Sequence, residues 1–226
     1  QGFRAFKIGW GPFGRMRNAG LDEAIVRAAR EAVGADSLLM VDAGASDAYW
    51  PQGYKWALRT ADMLAEYAVH WFEEPLSPDA IAEYALLRQE ARVPIAGGEV
   101  LTRRQAFRPW FEAGALDVVQ PDVTKVGGMS ETCRIASLAD EFGVRFIPHG
   151  WNTAVGLAAD LHLASAFSNT DLVEYLTGAA FIDDLPMSKW QLDSEGMLAI
   201  PDTPGLGIDL NPDALRAYTD GTLLAT

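Results

Sequence analysis

The sequence predicts an α/β fold, a TIM-type (β/α) barrel of parallel strands ringed by helices. Two observations predict it. Helical periodicity alternates with short apolar runs, without interruption, up to about residue 175, and such alternation makes a parallel sheet covered by helices. A polar residue then closes each apolar run: Lys7, Asp42, Glu73, Glu99, Asp122, His149 and Glu174, at intervals of 35, 31, 26, 23, 27 and 25 residues. One βα unit of a barrel takes ~30 residues, so the seven fall at the same place in successive units, the C-terminal face where barrels gather their chemistry. An open doubly wound sheet would scatter them along two edges.

The elements follow in order. Residues 3–8 read as a strand. Leu21, Ala24, Ile25, Ala28, Ala29, Ala32 and Val33 keep the spacing of an amphipathic helix, which Gly34 stops. The run 38–41 is a short buried strand. Ala57, Ala61, Leu64 and Ala68 mark the next helix and 71–72 the next strand. A helix near 80–88 leads to a strand at 94–96, and one near 103–112 to a strand at 118–120. Ile135, Ala136, Leu138, Ala139 and Phe142 mark a helix before the strand 144–148, and a helix near 155–167 precedes a strand at 172–175. That makes seven of the eight βα units of a barrel. Beyond about residue 180 the pattern breaks: Asp183, Asp184, Pro186, Pro201, Pro204, Gly205 and Gly207 make a turn-rich tail with short strands and a last helix near Pro212. The chain thus divides into a barrel, 1–180, and a C-terminal segment, 181–226, packing on it.

With 49% hydrophobic and 22% charged residues over 226 positions the chain is globular, which excludes disorder and a fibrous repeat. No apolar run approaches the ~20 residues of a membrane span. Eighteen Lys and Arg against 31 Asp and Glu leave a net charge of −13, which repels phosphate backbones, so no nucleic-acid partner is expected. The single Cys133 excludes a disulfide framework and fits a reducing, cytoplasmic setting. No signal peptide opens the chain, and with a strand following Gln1 almost at once the N-terminus reads as truncated or processed.

Asp42, Glu73 and Glu99 end consecutive strands. Any one could be an ordinary solvated acid, but three converging carboxylates repel one another unless a cation joins them, and hard oxygen ligands with open positions suit Mg²⁺. Asp122 and His149 end neighbouring strands. A carboxylate beside an imidazole fixes its tautomer and stabilises the imidazolium, which makes His149 a general acid or base. His162, inside a helix pattern, and His70, at the far end of its strand from Glu73, read as structural.

At these residues the chain resembles the enolase superfamily, and within it the mandelate racemase-like group. The match runs in order through Gly2-Phe3-Arg4-Ala5-Phe6-Lys7, Val41-Asp42-Ala43, Trp71-Phe72-Glu73-Glu74-Pro75 and Ala96-Gly97-Gly98-Glu99. It continues with Gln120-Pro121-Asp122, Lys125-Val126-Gly127-Gly128, Ile147-Pro148-His149, Val173-Glu174-Tyr175 and Pro204-Gly205-Leu206-Gly207. The resemblance implies that Asp42, Glu73 and Glu99 bind Mg²⁺ and that Asp122 and His149 form the acid/base dyad. Muconate cycloisomerase-like members carry a catalytic lysine where this chain has Asp122, so that subgroup and the dipeptide epimerases are disfavoured. The family also has an N-terminal capping domain and a first barrel strand. The seven strands start at what should be the second, with the missing strand expected between 3–8 and 172–175. A homo-oligomer is expected.

Two departures stand out. Members often end the second strand with Lys-x-Lys, the second lysine acting as a base; here the sequence is Lys7-Ile8-Gly9. Gly44 stands where many relatives have an asparagine. On strand alternation position 9 faces the same way as Lys7, so Gly9→Lys should restore the missing base. Trp10, Tyr49, Trp50 and Trp151 lie close to strand ends and are candidates to line the pocket.

The function expected is that of a Mg²⁺-dependent hydro-lyase of a sugar acid, abstracting the proton α to a carboxylate through a metal-stabilised enediolate. His149 would be the base, Lys7 would neutralise the carboxylate, and a protonated Glu174 would hydrogen-bond the developing oxyanion. A racemase or epimerase of a 2-hydroxy acid is the alternative and needs a base on each face. A barrel that keeps its metal site without turnover is the third reading; the retained dyad speaks against it.

Overall fold

The computed structural model describes residues 2–44 and 52–218. Six parallel strands form one sheet in sequence order: β1 (Ala5–Gly9), β2 (Leu38–Asp42), β3 (Phe72–Glu73), β4 (Ile95–Gly97), β5 (Val118–Val119) and β6 (Arg145–Phe146). Between them lie α1 (Ala19–Val33), α2 (Tyr54–Glu66), α3 (Ile81–Glu90), α4 (Arg103–Glu112) and α5 (Met129–Glu141). α6 (Ala154–Ala166), a short α7 (Ala180–Asp183) and α8 (Pro212–Tyr218) follow. Asn18 caps α1 by accepting from the Leu21 N–H at 3.1 Å, and Gly34, at φ 82°, ends it. None of the described helices is long and apolar enough to cross a membrane.

The two faces of the sheet bury different clusters. Leu39, Val41, Phe72, Ile95, Val119 and Phe146 point outward into the main core beneath the helices. Met40, Trp71, Ala96, Val118 and Ile147 point inward and fill the barrel. This period-two alternation puts the last inward positions at the strand ends. The register pairs Gly9 with Asp42 and Asp42 with Glu73, so those carboxylates are lateral neighbours.

The expected seventh strand, 172–175, is not part of the hydrogen-bonded sheet. The segment packs as a strand would: Leu172 joins the inner cluster, while Val173 and Tyr175 lie against the Leu157 and Leu161 of α6. One rung is made, however, and Pro148, which has no N–H, cannot make the next. The Phe146 N–H donates to Asn169 O at 3.0 Å, and the Gly150 N–H donates to the Glu174 side chain, not to a backbone carbonyl. Among the described residues no backbone hydrogen bond joins β1 to 172–175; a ring contact of Phe3 with Tyr175, centroids 5.6 Å apart, lies along that boundary. The sheet is therefore open, with β1 and β6 at its edges. In the C-terminal segment, Ile182 packs on α6, and two isolated antiparallel bridges join Pro186 to Leu210 and Leu192 to Leu198.

Phe72 shows where stability resides. It is fully buried and meets Phe13 and Trp56 edge-on, at centroid distances of 6.4 and 5.8 Å. Phe72→Ala is expected to lower the unfolding free energy by roughly 3–5 kcal/mol in urea titration; a loss below about 1 kcal/mol would show that β3 is not anchored through this ring.

Candidate active site

β1 ends in a turn that sequence alternation does not foresee. Gly9, Trp10 and Gly11 have φ of 144°, 57° and 55°, three successive residues in the region that disfavours side chains. The Trp10 N–H donates to Asp42 O at 3.2 Å. A Cβ at Gly9 would lie 1.8 Å from that same carbonyl oxygen. Position 9 thus points into the backbone of β2 and not into the site, and a lysine there could not become a second base. The expectation for Gly9→Lys is corrected accordingly.

Lys7 sits amid carboxylates. Its Nζ is 2.7 Å from Glu73 Oε1, 2.5 Å from Glu174 Oε1 and 3.5 Å from Asp42 Oδ2. Burial alone would lower its pKa, but these ion pairs hold it well above the usual lysine value. Asp42 and Glu73 are buried, Glu99 partly so, and one oxygen from each lies within 4.8 Å of the others. Burial and the facing Glu73 push the Asp42 carboxyl well up despite the pull of Lys7. The Gly44 N–H orients Asp42 at 2.6 Å, and the Trp71 indole N–H orients Glu73 at 3.0 Å. A carboxylate set that is both clustered and short of positive charge fits a divalent ion, and its hard oxygens fit Mg²⁺.

His149 is held at both ring nitrogens. Nδ1 is 2.9 Å from Asp122 Oδ2, and Nε2 is 2.9 Å from Glu99 Oε2. Burial opposes the charged form, but the two carboxylates prevail and raise its pKa to about 10. Asp122 is itself fixed by the Thr124 N–H and hydroxyl, which donate to Oδ1 at 2.8 and 2.6 Å. Burial works against its ionisation, and the bonds from His149 and Thr124 bring its pKa to about 2. An acceptor-only Asp122 requires a proton on Nδ1 and so turns Nε2 toward the site.

Glu174 is placed differently from its expected role. It accepts from Lys7, from the Gly150 N–H at 2.7 Å and from Gln120 Nε2 at 3.4 Å. Burial favours its acid form, yet Lys7 and His149 keep its pKa below the usual glutamate value. A carboxylate held this way is an acceptor, and the donor role expected of it requires a proton that these neighbours oppose.

The structure thus brings together all seven strand-end residues. Sequence reasoning gave no role to Trp71, Gln120, Thr124 or Lys125, whose Nζ is 3.6 Å from Asp122; the position of Lys125 three residues after Asp122 was the available signal. His70 and His162 lie apart from the site, against Arg145 at 3.2 Å and Leu206 O at 3.3 Å. Of the four aromatic candidates, Trp10 and Trp151 meet at a centroid distance of 5.7 Å, while Tyr49 and Trp50 lie outside the described residues. Asp160 was also missed. It is fully buried on α6, bonded by Asn152 at 3.4 Å, and burial raises its pKa to about 8.

The strand ends of this parallel sheet thus carry a carboxylate triad and an Asp–His pair. The chain belongs to the enolase C-terminal domain-like family, whose sequence profile matches residues 1–214. It is 36% identical to D-galactarolactone cycloisomerase of Agrobacterium fabrum, over 96% of this chain and 57% of that protein. It is 34% identical to D-xylonate dehydratase of Haloferax volcanii, over 90% of this chain and 48% of that protein. The crystal structure of the 3,6-anhydro-D-galactonate cycloisomerase from Zobellia galactanivorans superposes with a TM-score of 0.84 at 33% identity, covering 97% of this chain and 60% of that one. The chain spans about half the length of the curated relatives it matches.

Two outcomes follow from this geometry. Gly9→Ala should separate β1 from β2, destabilising the chain by more than the ~1 kcal/mol of an ordinary glycine replacement and weakening Mg²⁺ binding through Asp42; a variant with parent stability and affinity would show that position 9 faces open space. For Asp160, the folded pKa of about 8 stands above the ordinary 3.8, so between these values the folded chain holds one more proton than the unfolded one. Stability from this group therefore falls as pH rises through that window, by on the order of a few kcal/mol. Asp160→Asn should gain stability over the parent between about pH 5 and pH 8 in urea titration; parallel pH profiles would contradict the assignment.

Proposed function

We propose that this chain forms the barrel of a Mg²⁺-dependent hydro-lyase that removes water from a sugar acid. The carrying observation is that the site has one well-placed base. His149 presents Nε2 among the carboxylates with Asp122 fixed behind it. The opposite candidate position, Gly9, is pressed against the β2 backbone. Lys7 is engaged by Glu73 and Glu174, at 2.7 and 2.5 Å, and in this reading serves as a cation rather than as a second base. Elimination needs only one such group, whereas racemisation needs two.

In this reading Asp42, Glu73 and Glu99 hold the ion, which when bound supplies electrophilic stabilisation to the substrate carboxylate. Lys7 adds positive charge on the same side. His149 takes the α-proton and returns it to the β-oxygen as the C–O bond breaks, so that water leaves and the enol becomes a 2-keto acid. To act as base it must first give up its proton and its contact with Glu99; neutralising that carboxylate removes one of the two charges that raise its pKa. Glu174 positions Lys7 and the Gly150 backbone. The dehydratase among the relatives supports the reading. The two cycloisomerases support a variant reading in which the same site isomerises a sugar-acid derivative. A reducing, cytoplasmic setting and a homo-oligomer complete the proposal.

Incubation with Mg²⁺ and a panel of aldonic acids and lactones, followed for 2-keto product and for deuterium at the α-carbon, tests it. At least one acid should yield a keto product. His149→Asn should lower the rate by roughly 10²–10⁴-fold without altering the circular dichroism spectrum. Deuterium exchange with no keto product would point to a racemase; neither signal with any acid would point to a barrel without turnover.

A further inference from the structure

We infer that Trp10 and Trp151 form an aromatic wall that binds the C–H face of the substrate's carbon chain and selects for a sugar acid over a shorter hydroxy acid. The inference rests on the sugar-acid reading above. Four observations carry it. Trp10 occupies φ 57°, a conformation that a bulky residue adopts only when the surroundings enforce it, and such outliers gather at functional sites. Both unusual glycines of this region serve the same indole. Gly9 supplies the left-handed strand end that swings it inward, and a Cβ at Gly44 would stand 3.1 Å from Trp10 Cδ1. Trp151 reaches it from two residues beyond His149, with ring centroids 5.7 Å apart and planes at 53°, an open V rather than a closed stack. Finally, Trp10 and Trp151 are 37% and 57% exposed, beside a site otherwise built of charge.

Large aromatic surface left in water beside a polar site is a feature of ligand contact. A sugar acid has the complementary form: a carboxylate and α-hydroxyl at one end, then carbons whose hydrogens form apolar faces and whose hydroxyls lie at the edges. Trp10 marks the direction. Its ring centroid is 5.6 Å from Lys7 Nζ, so a carboxylate end at Lys7 and the triad places the following carbons against the V. The alternative use of Trp10, as a cover for the Lys7 ammonium, leaves Trp151 without a task.

The test uses the full chain with Mg²⁺ and two kinds of probe. Six-carbon aldonates (D-gluconate, D-galactonate and D-mannonate) carry a tail, whereas glycolate has the same carboxylate and α-hydroxyl without one. Calorimetric titration should show Trp151→Ala weakening the best aldonate about tenfold, the scale of losing one buried aromatic contact, with glycolate unchanged and Trp151→Phe restoring most of the loss. Equal effects on both probes, no effect on either, or no aldonate binding by the parent would overturn the wall. Turnover of the parent on the aldonic-acid panel is scored separately. Activity with an unchanged tail preference in Trp151→Ala sinks the wall and spares the dehydratase reading. Tail-dependent binding with no turnover does the reverse.

Discussion

The structure depends on one electrostatic constraint: five carboxylates meet at the mouth of a parallel sheet with too little positive charge among them. Asp42, Glu73, Glu99, Asp122 and Glu174 face Lys7, His149 and, at the rim, Lys125. With Lys7, His149 and Lys125 all charged, two negative charges remain unmatched, the amount that one divalent cation carries. The raised pKa of Asp42, set first by burial and then by the facing Glu73, is in keeping with this crowding. Buried ionic groups of this kind contribute little to stability as a set and cost several kcal/mol when one partner is removed. The site is therefore best understood as an arrangement kept for chemistry, at a place where the barrel can bear it.

The fold bears it by fixing each group from behind. The parallel register sets Asp42 beside Glu73. Backbone and side-chain donors then orient the acids: Gly44 for Asp42, Trp71 for Glu73, Thr124 for Asp122 and Gly150 for Glu174. Beyond the Phe146–Asn169 rung the ladder stops because Pro148 has no N–H to donate, and the next donor on that edge, Gly150, holds Glu174 instead. One exchange thus links topology to chemistry. At the other edge, the close approach of Gly9 to Asp42 O fixes the turn that removes a base and brings in Trp10.

Much of this was legible in the sequence because a barrel repeats. The near-regular spacing of polar strand ends picked out seven residues that the structure brings together, and apolar periodicity located α1 through α6 and β1 through β6. What escaped has physical reasons. Alternation assigned Gly9 to the inner face, but alternation holds only while the backbone stays extended, and at φ 144° it does not. Residues 172–175 have the apolar pattern of a strand, and pattern reports burial rather than hydrogen bonding. The ion pair of Glu174 with Lys7, 167 residues away, is a tertiary fact that spacing does not reveal. The buried Asp160 looked like any polar position on a helix until packing enclosed it.

The charge deficit is tested most directly by calorimetric titration of the metal-free chain with Mg²⁺, alongside Glu73→Gln. The account predicts one site per chain in the parent, with affinity in Glu73→Gln reduced by more than the ~10–100-fold that loss of an outer-shell partner brings. No Mg²⁺ binding by the parent, or equal affinity in the variant, would contradict it.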